Sequence, residues 1–180
     1  MNTYIGLLRG INVGGHKKII MSEFRELLEK NGFHDVKTYI QSGNMVFKHP
    51  ENNIDLITNQ LEEVIINHYH FEVPTIVLTK TYLDLVFKQN PMIQDTSIDE
   101  SKSIFTFLKS EPEQEKLTEL KKVSFPNETF IFGDRVIYFY CSTGYGTAKF
   151  THTFIERKLK VQATSRNYRT TKKLIEMSAS

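Results

Sequence analysis

Apolar and polar positions alternate between strand-like and helix-like spacing along this chain, and the order of segments runs twice. Tyr4-Ile5-Gly6-Leu7-Leu8 is an apolar run of strand length. After a loop, Ser22 stands where it can cap a helix with Phe24, Leu27 and Leu28 on one face, and Gly32 closes it. Val36–Gln41 and Met45–Phe47 are rich in branched and aromatic residues around Ser42-Gly43-Asn44, which predicts a hairpin with Gly43 at positive φ. Asn53 caps a helix in which Ile57, Leu61, Val64 and Ile65 recur near 3.6 residues, and Val73–Leu78 has the composition of a buried strand. Thr79 then caps a further helix carrying Leu83, Val86 and Phe87, which Asn90-Pro91 stops.

The second pass begins at Ser103–Leu108, a partly alternating strand pattern, followed by Ser110 and Glu113 at capping-box spacing ahead of Leu117 and Leu120. Pro112 falls in the first turn of that helix, where a missing N–H is harmless. Thr129–Phe132 and Val136–Tyr140 flank Gly133-Asp134 as a second hairpin. Phe150, Phe154, Ile155 and Leu159 fit a helix with Thr147 as cap, before a short Val161–Ala163 strand. A last helix, from about Asn167 to Met177, has Tyr168, Thr171, Leu174 and Ile175 on one side.

Each pass reads βαββαβ plus one helix. Short connections and right-handed βαβ crossovers favour two helices on one face of a four-stranded antiparallel sheet. The fold class predicted is therefore α+β, built from duplicated ferredoxin-like βαββαβ units, each followed by an additional helix. The stretch from Pro91 to Glu100 has few large apolar groups, which divides the chain into an N-terminal subdomain, 1–91, and a C-terminal one, 92–180. A single larger mixed sheet is the rival, separable only by strand pairing across the middle.

With 180 residues and 39% hydrophobic content, the chain can bury a substantial core. Its 23 basic and 21 acidic side chains nearly cancel to +2, so no strong field marks a polyanionic partner. The single cysteine, Cys141, forms no intrachain disulfide. No run approaches the length needed to span a bilayer, and Met1–Leu8 is too short for a signal peptide, so a cytoplasmic, non-membrane protein is the expectation.

The chemistry-bearing segments sit at the breaks between elements. Arg9-Gly10-Ile11-Asn12-Val13-Gly14-Gly15-His16-Lys17-Lys18 offers glycine backbone beside cationic side chains, a combination that suits phosphate, carboxylate or a nucleic-acid backbone. It matches neither a P-loop nor a dinucleotide fingerprint, and the helix near Ser22 starts too late to lend its dipole. Gln41-Ser42-Gly43-Asn44 supplies amide and hydroxyl groups but no base or nucleophile, and turn chemistry alone also explains it. Thr164-Ser165-Arg166-Asn167-Tyr168-Arg169 can clamp an anion at a helix start or simply dock that helix. His16 lies alone, His68 and His70 diverge, and Glu62 and Glu63 point apart on a helix, so no metal site and no carboxylate pair is predicted, and no cofactor. Cys141-Ser142-Thr143-Gly144-Tyr145-Gly146-Thr147 is read as a flexible link; a Cys141–His152 catalytic pair lacks a local orienting acid.

Three motifs carry a resemblance: Leu7-Leu8-Arg9-Gly10-Ile11-Asn12-Val13-Gly14-Gly15, Thr38-Tyr39-Ile40-Gln41-Ser42-Gly43-Asn44 and Thr164-Ser165-Arg166-Asn167-Tyr168-Arg169-Thr170. Together they make the chain similar to the bacterial domain of unknown function 1697 family. That resemblance implies a duplicated ferredoxin-like arrangement and transfers no activity, substrate or catalytic residue. Tyr168 stands where a tryptophan is expected in many relatives, which keeps an aromatic face and loses the indole N–H.

The leading expectation is a binding protein for a small anionic or phosphorylated ligand, with Arg9, Asn12, Gly14, Gly15, Lys17, Ser42, Asn44, Arg166 and Asn167 as its site. One alternative is single-stranded nucleic-acid binding on a sheet face bearing Tyr4, Tyr39, Phe47, Tyr138 and Tyr140. The others are an enzyme acting on a nucleotide-like or phosphorylated substrate and a protein-interaction module with an uncovered aromatic sheet face. Neither catalysis nor oligomeric state is legible at this level.

Overall fold

A computed structural model describes residues 1–179. The strands are β1 (Asn2–Leu8), β2 (His34–Tyr39), β3 (Asn44–His49), β4 (Thr75–Thr79), β5 (Ile104–Leu108), β6 (Glu128–Phe132), β7 (Val136–Cys141) and β8 (Ala163–Asn167). The helices are α1 (Met21–Lys30), α2 (Ile54–Tyr69), α3 (Lys80–Lys88), α4 (Gln114–Lys121), α5 (His152–Leu159) and α6 (Tyr168–Ser178). The strands form two four-stranded antiparallel sheets, ordered β2-β3-β1-β4 and β6-β7-β5-β8. This is the duplicated ferredoxin-like arrangement, with one additional helix after β4 and one after β8.

Two compact units result: Met1–Leu85 together with the chain from Lys172 onward, and Val86–Thr171. The chain passes from the first to the second within α3 and returns within α6.

In the first unit, strand alternation sends Tyr4, Leu8, Met45, Phe47 and Val77 to the helix side. There they meet Phe24 and Leu28 of α1 and Ile57, Leu61 and Ile65 of α2. Phe33 meets Phe47 edge-on at 5.1 Å. Ile5, Leu7, Val46, Ile76 and Leu78, at the alternate positions, are buried too, so neither face of this sheet is an open aromatic surface. In the second unit, Ile104, Leu108, Ile137 and Phe139 pack with Leu120, Ile155 and Leu159, and the Phe130 and Phe150 rings stack at 3.9 Å. On the other side of that sheet Phe105 stacks on Phe87 at 5.8 Å, and the Tyr138 hydroxyl donates to the Val86 carbonyl.

Caps decide where several helices begin. Asn53 accepts from Asp55 N and Leu56 N, and Thr79 from Tyr82 N, as their positions predict. Elsewhere the local signals are overruled. Helix α1 starts at Met21 with Ile20 in the cap position, one residue before Ser22, because Ile19 and Met21 must enter the core. No capping box forms at Ser110 and Glu113: α4 starts at Gln114 without a side-chain cap. Thr147 belongs to a 3-10 turn, and Thr151 caps α5 by accepting from Phe154 N. The predicted Val161–Ala163 strand lies at Ala163–Asn167, because Phe105 and Thr106 of β5 pair with Arg166 and Ser165. Polar residues fill that strand, which hid it from a hydrophobic pattern.

Candidate functional site

At one end of the first sheet, the loop between β1 and α1 meets the turn between β2 and β3. Asn12 fastens the two. Its side-chain amide donates to the carbonyls of Ile19 at 3.0 Å and Gln41 at 2.8 Å, and its Oδ1 accepts from Ile19 N at 2.9 Å. Inside this bracket Asn12 N donates to Lys17 O and His16 N to Val13 O, which closes a tight turn with Gly14 and Gly15 at its tip. Both glycines have positive φ, 58° and 78°, the signature of a primed turn that matches strand twist. Both are exposed, as are His16 and Lys18.

Several further ties fix the surroundings. Leu8 N donates to Gly43 O and Arg9 N to Pro74 O, so both neighbouring connections are held to the end of β1. Lys17 Nζ donates to Glu72 O at 2.6 Å. Asn44 is fully buried and donates to Tyr39 O and to Ser42 Oγ at 2.9 Å. A Cβ on Gly43 would lie 2.5 Å from Leu8 Cβ, and its φ of +80° excludes most side chains.

The backbone here is unusual. Gly10, Asn12, Gly14, Gly15, Lys17, Ile40 and Gly43 all have positive φ, half of the fourteen such residues among the described residues. Ile40 is the outlier among them, a β-branched residue at φ +50°. It is 51% exposed and flanks Gln41, whose carbonyl Asn12 holds.

Arg9, Asn12, Gly14, Gly15, Lys17, Ser42 and Asn44 thus belong to one end of the first unit. Arg166 and Asn167 belong to the second. The Arg166 guanidinium donates to Thr164 Oγ1 at 2.8 Å and to Ser165 O, and burial across from Phe105 presses its pKa down to about 10. Asn167 is the cap of α6, accepting from Thr170 N at 2.8 Å while its carbonyl receives Thr171 Oγ1. Tyr168 turns its hydroxyl to Glu100 Oε1 and tilts its ring on Phe87.

The aromatic residues proposed for nucleic-acid stacking do not share an open surface. Tyr4 and Phe47 point into the helix-side core, Tyr138 is buried with its pKa raised to about 12 by that burial, and only Tyr39 and Tyr140 of the five are partly exposed. Cys141 is buried with Thr143 Oγ1 at 3.3 Å. Among the described residues no group of three His, Cys, Asp or Glu side chains is arranged to hold a metal, and no helix is long and apolar enough to cross a membrane.

Sequence reasoning found most of the loop's glycines and asparagines but missed Ile40 and the bracketing role of Asn12. Nothing in a one-dimensional pattern marks an isoleucine as left-handed, since that conformation is disfavoured for its side chain.

The fold is similar to that of the conserved bacterial protein SP0830 from Streptococcus pneumoniae, with a TM-score of 0.79, 24% sequence identity and 98% of each chain covered. No curated protein matches the chain. Residues 1–138, which contain both N-terminal motifs and the bracketed loop, match the family model described as protein of unknown function (DUF1697), and the chain belongs to that family.

Proposed function

We propose that the end of the first unit binds a small anionic ligand, with phosphate-bearing molecules as the class that suits it, and that Gly14, Gly15, Lys17 and Lys18 make the contact. The concentration of left-handed backbone around Asn12 carries this reading. Holding non-glycine residues in that conformation costs roughly 1–3 kcal/mol each, and such strain gathers where a fixed backbone shape is needed. Gly14 and Gly15 lack side chains, so a phosphate oxygen can approach their N–H groups closely, and Lys17 and Lys18, two and three residues beyond Gly15, carry positive charge into the same loop. Because Asn12 already fixes the loop, binding does not have to order it.

In this reading Asn12, Ser42 and Asn44 are positioning residues, since their side chains are spent on the loop and the turn. Helix α1 takes no part, because it begins at Met21, beyond the bracket. A small site made of exposed glycine backbone and two lysines, one of them already donating to Glu72 O, corresponds to dissociation constants of roughly millimolar to micromolar.

Titration of 15N-labelled protein with inorganic phosphate and with pyrophosphate tests the proposal. Amide shifts concentrated at Gly14, Gly15, His16 and Lys18, weakened by added salt and lost in Lys17→Ala/Lys18→Ala, are the expected result. Asn12→Ala removes no charge and weakens binding by loosening the loop. Shifts spread evenly over the surface, or none at high millimolar phosphate, overturn it.

A further inference from the structure

Ten large hydrophobic side chains are exposed among the described residues, and most are scattered along the sequence, which calls for no explanation. Three are gathered. Val13, Ile20 and Ile40 are exposed by 66%, 44% and 51%, and each adjoins a group tied to the Asn12 side chain. Val13 follows Asn12 itself. Ile20 follows Ile19, whose N–H and carbonyl both meet the Asn12 amide, and Ile40 precedes Gln41, whose carbonyl accepts from it. Peptide geometry then places all three Cα atoms within roughly 9 Å of the Asn12 side-chain nitrogen.

Packing does not call for these side chains. Ile11 and Ile19 of the same loop already enter the core, both 1% exposed. Ile40 sits at φ +50°, where a half-exposed branched side chain adds strain and gains little burial. Val13 opens the turn that His16 closes by donating to its carbonyl, with Gly14 and Gly15 between them. A phosphate on those glycine N–H groups therefore has an aliphatic side chain one residue away, with Ile20 and Ile40 at the base of the same loop.

We propose that the ligand of the glycine tip is a soluble phosphate monoester of a short hydrocarbon group. Gly14, Gly15, Lys17 and Lys18 take the phosphate, and Val13, Ile20 and Ile40 take the hydrocarbon. This assignment rests on phosphate binding at Gly14 and Gly15 and narrows the ligand class. A glycerol or sugar phosphate would set hydroxyl groups against three aliphatic side chains that return no hydrogen bond, which costs affinity. A lipid surface fits less well. Adsorption to anionic lipid draws on clusters of about four to eight basic residues, whereas residues 10–20 carry Lys17 and Lys18.

Titrations of 15N-labelled protein with methyl phosphate, butyl phosphate, glycerol phosphate and butanol test the proposal. Butyl phosphate should bind about eightfold more tightly than methyl phosphate, roughly twofold for each added methylene, since one side of the chain stays in water. Glycerol phosphate should bind no more tightly than methyl phosphate, and butanol should leave the Gly14 and Gly15 amides unmoved. Val13→Thr and Ile20→Thr keep the branched shape, so the spectrum outside the loop and the response to inorganic phosphate should match wild type while the butyl preference is lost. Equal affinity for methyl and butyl phosphate, tighter binding of glycerol phosphate, or a butyl preference that survives both substitutions overturns the hydrocarbon assignment and leaves phosphate binding standing. No glycine shift with any phosphate removes both. Binding confined to phosphatidic acid vesicles, or a dimer in sedimentation that depends on Val13 and Ile20 and ignores butyl phosphate, gives the patch to a lipid surface or a second copy and overturns the assignment as well.

Discussion

Leu8 and Leu108 end the first strand of their units in one bonding pattern. Leu8 N donates to Gly43 O and Leu108 N to Arg135 O; Arg9 N donates to Pro74 O and Lys109 N to Gln162 O. Gly43 and Arg135, the matching turn residues, are both left-handed, at φ +80° and +51°. Beyond these shared bonds the two ends diverge. Twelve residues separate Leu8 from Met21 of α1, pinned by Asn12 and dense in positive φ; five separate Leu108 from Gln114 of α4. The sheet framework dictates the bonds that close it, whereas the loop is free to vary in length and backbone shape from one unit to the other.

The largest expected effect lies at the matching turn residues. In Gly43→Ala the new Cβ meets Leu8 Cβ at 2.5 Å and Leu8 Cα at 3.3 Å, on a backbone that alanine disfavours. We expect a loss of about 2–4 kcal/mol in urea denaturation, from overpacking and left-handed strain together. Arg135→Ala, at the corresponding place, should stay within about 1 kcal/mol, because a Cβ is already accommodated there. Equal effects at the two positions would mean that the close approach of turn to strand is not what distinguishes the units.

Next comes Asn12→Ala, which deprives Ile19 N of its acceptor and the carbonyls of Ile19 and Gln41 of their donor. A loss of about 2–3 kcal/mol is expected, with hydrogen exchange rising over residues 12–19 before global unfolding. Unchanged exchange in that segment would show that backbone bonds alone hold the loop.

A smaller effect separates the sheets by pH. Tyr138 stands across from Phe105, the position that Val46 takes across from Ile5 in the first sheet. Burial raises its pKa to about 12, above the ordinary value of 10, so between those values the unfolded chain loses the phenolic proton and the folded chain keeps it. Stability is thus fully present below pH 10 and falls as pH rises toward 12, by roughly 2 kcal/mol from this group. Tyr138→Phe should cost about 1 kcal/mol at neutral pH, through the Val86 carbonyl left without its donor, and should flatten the decline above pH 10. A parallel decline in both proteins would assign the alkaline loss to other groups.

How much of this was readable in advance follows from what a linear pattern encodes. Periodicity recovered both sheets because burial of one face repeats with the period of the element, as at Ile57, Leu61 and Ile65 or at Ile137 and Phe139. It misplaced β8, whose Thr164, Ser165 and Arg166 are kept extended by pairing with β5 rather than by their own composition. The site residues were visible as glycines and asparagines outside regular elements. What Asn12 holds was not, since Gln41 is twenty-nine positions away and only the closed sheet brings it near. Ile40 was invisible for a third reason: its backbone contradicts its own preference.

That contradiction yields the smallest and most pointed expectation. Left-handed conformation costs a branched residue roughly 1–2 kcal/mol, and the Ile40 side chain is half exposed, so little burial offsets the strain. Ile40→Gly should leave stability unchanged or raise it by up to about 1 kcal/mol, in a chain where most substitutions lower it. A turn selected for stability alone would place glycine or asparagine there, as Gly43 does three residues on. Retaining isoleucine makes sense if the stiff side chain fixes the direction of Gln41 O toward Asn12, and through it the shape of the glycine tip. The variant should then be at least as stable as wild type and bind phosphate more weakly. Undiminished binding in a stabilised Ile40→Gly protein would remove strain at the turn from the explanation of the loop, leaving Asn12 to account for its shape.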